Sequence, residues 1–179
     1  MKTLEQLRLV TEQDLPSIYC DMDGVLVDFV GGAERVGAKL PPESERANTT
    51  QDEKNAIWNK ITSVKDFWAN LSWMPGAKKL YQRISKYDAH ILSAYAKRDS
   101  SSITGKRKWL KKNTKFKSGK INLVMRSQKK NFATVGGKSN ILIDDYEKNI
   151  REWEAAGGVG IIHKNVNETI AKLNKLGFK

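Results

Sequence analysis

The fold is decided by residues 17–29, Ser17-Ile18-Tyr19-Cys20-Asp21-Met22-Asp23-Gly24-Val25-Leu26-Val27-Asp28-Phe29. A short apolar run, too brief for a helix, stops at two carboxylates separated by one residue. Short continuous apolar runs suit strands buried on both faces of a parallel sheet. Two carboxylates just past such a strand repel each other where water is scarce. A divalent cation would offset that repulsion. Gly24 then permits a sharp turn that a Cβ would hinder.

Four further apolar runs have the same character, at residues 89–92, 121–125, 141–143 and 159–162, the last after Gly157-Gly158. Helical patterns lie between them, at 77–86, 102–112, 147–156 and 167–176. Strands alternating with helices predict an α/β fold, a Rossmann-like parallel sheet flanked by helices. Ligands of such sheets sit beyond the carboxyl ends of the strands. The run at 141–143 also ends in paired acids, Asp144-Asp145, which could either cap the next helix or join Asp21 and Asp23. Four carboxylates converging on one sheet edge form an oxygen-rich site suited to Mg²⁺. Residues 31–73 break the alternation and read as a small helical cap insertion, leaving residues 1–30 and 74–179 as the core.

The composition agrees with a globular chain: of 179 residues, 39% are apolar and 29% charged, too apolar for a disordered segment. No apolar run approaches the length of a membrane span. Residues 1–14 lack the pattern of a secretory signal, and the single Cys20 has no internal disulfide partner. A reducing, cytoplasmic setting is therefore expected. The formal net charge of +12 is unevenly spread. Residues 78–130 hold 17 Lys and Arg against Asp88 and Asp99 alone, a local excess of +15, whereas the rest of the chain is slightly acidic. Such a block either draws anions, nucleic acid or phosphorylated small molecules, or coats solvated helix faces.

The run DMDGVLVDF resembles the first motif of the haloacid dehalogenase-like (HAD) phosphatase superfamily, and ILIDD resembles its fourth. Ser93, ending His90-Ile91-Leu92-Ser93, fits the second. For the third, a lysine, spacing favours Lys129, with Lys130 and then Lys106 as alternatives. Within the superfamily the chain is similar to the 5′(3′)-deoxyribonucleotidase-like group of bacteria and phages, through DMDGVLVDFVGG, Phe67-Trp68, Trp73-Met74-Pro75-Gly76-Ala77 and LIDDYEKNI. It departs from that group after Ser93, where Ala94-Tyr95-Ala96 replaces the usual Thr-Ser or Thr-Ala-Pro.

This resemblance implies a Mg²⁺-dependent phosphomonoesterase acting on nucleotides through an aspartyl-phosphate. Asp21 would be the nucleophile and Asp23 the acid and base. Ser93 and Lys129 would bind the phosphate. Mg²⁺ would be held by Asp21, Asp23 and one of Asp144 and Asp145. Ala94, Lys97, Arg98 and Lys130 are expected near the substrate. Phe29 and Trp68 either stack a nucleobase or pack the insertion onto the sheet. Gly31-Gly32 reads as a tight turn or a point of cap movement, and His90 and His163 as structural. The competing readings are a polynucleotide 3′-end phosphatase and an idle nucleic-acid-binding protein of the same fold. Base preference and oligomeric state have no signature in the chain.

Overall fold

The computed structural model describes residues 15–179, so the reading of residues 1–14 as lacking a signal lies outside the described residues. Five parallel strands form the central sheet: β1 (Ile18–Cys20), β2 (Ala89–Ala94), β3 (Ile121–Val124), β6 (Ile141–Asp144) and β7 (Val159–Ile162). Their order is β3-β2-β1-β6-β7. The chain builds outward from β1 through β2 to β3, then crosses back to place β6 on the other side of β1. The reversal falls between β1 and β6, the place where open α/β sheets bind ligands.

Helices cover both faces. On one face α3 (Ala77–Ile84), α4 (Ser101–Asn113) and α6 (Val166–Lys175) pack Leu80, Ile84, Trp109, Leu110, Ile170 and Leu173 against Ile18, Cys20, Ile91, Ile141 and Ile143. On the other, α5 (Glu147–Ala155) sets Ile150 and Trp153 against Tyr19, Leu92 and Leu142. The two sets alternate along β1 and β6, as the two-residue period of a strand requires. A two-stranded hairpin, β4 (Thr134–Val135) with β5 (Lys138–Ser139), turns through Gly136 and Gly137, both at positive φ. Among the described residues, no helix is long and apolar enough to cross a membrane.

The insertion leaves and rejoins the sheet at one seam. The Asp28 amide donates to Ser72 O and the Met74 amide to Leu26 O, each at 2.9 Å. Between them lie α1 (Phe29–Arg35), a 3₁₀ segment (Glu43–Asn48), α2 (Gln51–Thr62) and a 3₁₀ turn (Phe67–Asn70). Thr50 and Glu53 form a reciprocal capping box that starts α2. Two expectations change here. Helix α1 begins at Phe29, before the expected boundary. Gly31 and Gly32 are not a tight turn but lie inside α1. A Cβ on Gly32 would meet Leu71 Cδ2 at 2.2 Å, so this glycine serves close packing. The apolar cluster is continuous from the sheet into Ala33, Ile61, Phe67, Trp68 and Leu71.

Candidate active site

In-register pairing of β1 with β6 sets Cys20 opposite Ile143, which brings Asp21 and Asp144 side by side at the strand ends. Oxygens of Asp21, Asp144 and Asp145 lie within 4.8 Å of one another. Lys129 reaches between two of them, its Nζ donating to Asp144 Oδ2 at 2.7 Å and standing 2.9 Å from Asp21 Oδ2. Burial alone would lower the Lys129 pKa; the Asp21 and Asp144 carboxylates together outweigh it and raise the pKa above the usual lysine value. Asp21 Oδ1 accepts the Met22 amide at 2.7 Å.

The twin acids of β6 have different surroundings. Asp144 is wholly buried and accepts from Lys129, the Tyr146 amide and Asn149 Nδ2. Burial and the Asp21 charge push its pKa to about 6. Asp145 opens to solvent at the rim, and among the described residues no other residue's side chain bonds its carboxylate, which is met by its own backbone amide. Partial burial, then Asp21 and Asp144, push it up to about 7. Gly24 makes room for it: at φ +76°, an added Cβ would come within 2.0 Å of Asp145 Oδ2.

A second buried lysine organises the other half. Lys106, 1% exposed, donates to Asp23 Oδ2 at 2.6 Å, Ser93 Oγ at 3.0 Å and Ala94 O at 2.7 Å. These three acceptors use all three donors of an ammonium. Because an ammonium only donates, Ser93 Oγ must accept, and its own O–H is left for another partner. Asp23 Oδ1 is buried with no partner among the described residues. Burial raises the Asp23 pKa, Lys106 opposes the rise, and Asp21 adds to it.

The structure therefore brings Asp21, Asp23, Ser93, Lys129, Asp144 and Asp145 together, with Lys106 among them. Lys130 stays outside. The 3₁₀ segment Arg126–Phe132 turns by a third of a circle per residue, so Lys129 points inward while Lys130 is exposed beside Glu152 and Ala155. Lys97 is exposed, and Arg98 is occupied by Asn55 Oδ1 on α2 at 2.8 Å. Ala94 offers its carbonyl to Lys106. Trp68 is 3% exposed, stacked on Phe29 at 5.2 Å and flanked by Trp58 and Phe67. Its faces are taken by protein, and only Phe29 is half-open.

Lys106 comes after Lys129 and Lys130 among the alternatives for the third-motif lysine, yet its helix carries a signal. Ser102, Lys106, Trp109 and Leu110 recur at helical spacing, so the lysine falls on the apolar face of α4, and all four are buried.

The family described as "5' nucleotidase, deoxy (Pyrimidine), cytosolic type C protein" matches residues 15–174. A curated relative from Vibrio phage KVP40, named "Putative 5'(3')-deoxyribonucleotidase", is 27% identical over 137 residues, 76% of this chain and 69% of its own length. Among solved structures, the magnesium-bound HAD-hydrolase YfnB of Bacillus subtilis superposes with a TM-score of 0.54 at 13% identity, covering 90% of this chain and 98% of that one. A hydrolase from Streptococcus pneumoniae TIGR4 gives a TM-score of 0.51 at 12% identity, over 89% and 98%. These two structures share the fold of the strands and helices described above. The family match spans nearly every element of that fold and all seven site residues, so the chain belongs to the 5′ nucleotidase, deoxy (pyrimidine), cytosolic type C family and is a phosphatase of the HAD-like fold.

Proposed function

We propose that the protein hydrolyses nucleoside 5′-monophosphates, deoxyribonucleotides foremost, with Mg²⁺ and through a phosphate ester on Asp21. The observation that carries this reading is the sorting of four acids by two buried lysines. Lys129 bridges Asp21 and Asp144 and offsets one of their two charges, and Lys106 fixes Asp23. The acidic set also fits a hard divalent cation. All its donors are carboxylate oxygens, Asp145 pairs with no cationic side chain among the described residues, and Gly24 keeps the space beside it clear. Asp21 and Asp145 would hold Mg²⁺, with Asp144 steadying them from behind. When bound, the ion would neutralise phosphate charge.

Phosphoryl transfer depends mainly on positioning and charge neutralisation. Asp21 would attack phosphorus as the ester P–O bond breaks, forming an acyl phosphate. Asp23 would give its proton to the departing alkoxide. Its Oδ2 must accept from Lys106, so the proton would sit on Oδ1, the oxygen without a partner. Water then attacks phosphorus while Asp23 takes back a proton, releasing phosphate and restoring Asp21. Ser93, with its O–H left over by Lys106, would donate to a phosphate oxygen. Residues 31–73 would act as a cap, and Phe29, the half-open ring, would meet the nucleoside.

Replacing the nucleophile tests the scheme. Asp21→Asn should stay folded, because Lys129 keeps its Asp144 partner, and lose turnover of nucleoside monophosphates by about 10³-fold or more. Wild-type rates in Asp21→Asn would sink it. A screen of nucleotides, sugar phosphates and 3′-phosphorylated oligonucleotides would name the substrate class, and fastest turnover of the oligonucleotides would favour an end phosphatase.

A further inference from the structure

Asp99 is a buried carboxylate, 8% exposed, that forms no ion pair among the described residues. One of its oxygens serves its own neighbourhood. Oδ1 accepts the Ser101 amide at 3.0 Å and Ser101 Oγ at 2.6 Å, which starts α4. The other reaches further. Among the described residues, Oδ2 accepts only the indole Nε1–H of Trp68, at 2.7 Å, from a residue of the inserted segment. Over a face of the same indole stands the Lys106 ammonium, 5.2 Å from a ring centroid. Gly105 makes this approach possible. A Cβ there would meet Trp68 Cβ at 2.5 Å, so consecutive positions of α4 admit the indole and then place a cation over it.

A negative acceptor on the indole N–H strengthens that hydrogen bond and draws electron density toward the ring, since linked polar groups polarise one another. A richer ring attracts the ammonium more strongly, and such contacts matter most when desolvated. Lys106 is desolvated, and its donors run to Asp23, Ser93 and Ala94. We infer that Asp99 is a positioning residue: through the Trp68 ring it holds Lys106 against Asp23 and so orients the carboxyl that protonates the leaving group. This rests on the reading of Asp23 as leaving-group acid. It gives Trp68 a role other than stacking on a nucleobase.

Two variants, Asp99→Asn and Trp68→Phe, keep most of the packing while removing the charge or the N–H. With Mg²⁺ present, kcat would be compared on a nucleoside 5′-monophosphate and on p-nitrophenyl phosphate, whose leaving group departs almost unaided. Each variant should lose about 10-fold or more on the nucleotide and less than about 3-fold on p-nitrophenyl phosphate, with KM within about 2-fold. The double variant should be no worse than either single one, because both act on one path. In carbon–proton NMR spectra, the Lys106 ε-methylene should be shielded by the ring. Its signal, identified by its loss in Lys106→Gln, should move toward ordinary lysine in Asp99→Asn.

Equal losses on both esters would overturn the inference, as would additive losses or a raised KM with unchanged kcat. So would a Lys106 signal indifferent to Asp99→Asn. A wild-type protein inactive on both esters would instead overturn the phosphatase reading, and the NMR comparison would still decide whether Asp99 holds Lys106.

Discussion

Lys129 shows how one side chain can carry both stability and chemistry. Its Nζ stands within 2.9 Å of two buried carboxylates that would otherwise face each other unscreened. Removing one partner from a buried charge cluster leaves the others uncompensated, which costs roughly 3–5 kcal/mol. Lys129→Met should therefore lose about that much in metal-free urea unfolding, and added Mg²⁺ should recover part of it. At this scale the acids were readable, because Asp21, Asp23, Asp144 and Asp145 each follow an apolar strand run. The aromatic residues were less readable. Neither composition nor spacing says which face of Trp68 is free, and the fold covers both. Asp99 was equally silent, since its partner is 31 positions away in sequence.

Strands and long helices were legible as elements, each within a residue or two, because burial patterns them at one period or the other. Two elements were not. The β4–β5 hairpin has only two residues per strand, too few for any pattern. Helix α1 hides behind Gly31-Gly32, which local propensity disfavours and tertiary packing requires. One surface residue links several elements. Asp88 accepts from Ser17 Oγ at 2.6 Å and pairs with Lys120, tying the amino ends of β1, β2 and β3. Partial burial would raise its pKa, but Lys120 and Ser17 hold it down to about 2. A depressed carboxyl contributes stability above its unfolded pKa of ~4 and loses it as pH falls toward the folded value. The melting temperature should thus drop between about pH 4 and 2, and Asp88→Asn should flatten that drop. An unchanged slope in Asp88→Asn would assign the acid lability elsewhere.

Across the whole molecule, the basic block turns out to face two ways. Lys106 and Lys129 point into the site, whereas Lys78, Lys79, Arg107, Lys111, Lys112, Lys115 and Lys117 are exposed to solvent. The +15 excess says little by itself about the phosphate. Exposed charges beyond a Debye length of ~10 Å at 0.1 M salt act weakly. Between 50 and 200 mM salt, kcat/KM for a mononucleotide should fall by less than about 3-fold, against 10³-fold or more for an anion held by many such contacts. A steep fall would mean that the outer lysines steer the substrate. The seam where the insertion departs and rejoins has a consequence for evolution. Backbone bonds at Asp28 and Ser72, and at Leu26 and Met74, clamp both ends of the detour. The entropy of closing a loop grows only logarithmically, by ~0.6 kcal/mol for each doubling of its length. Segments much longer or shorter than this one can therefore be spliced between the same two clamps without altering the order of the strands, leaving the insertion free to diversify while the acids stay in register.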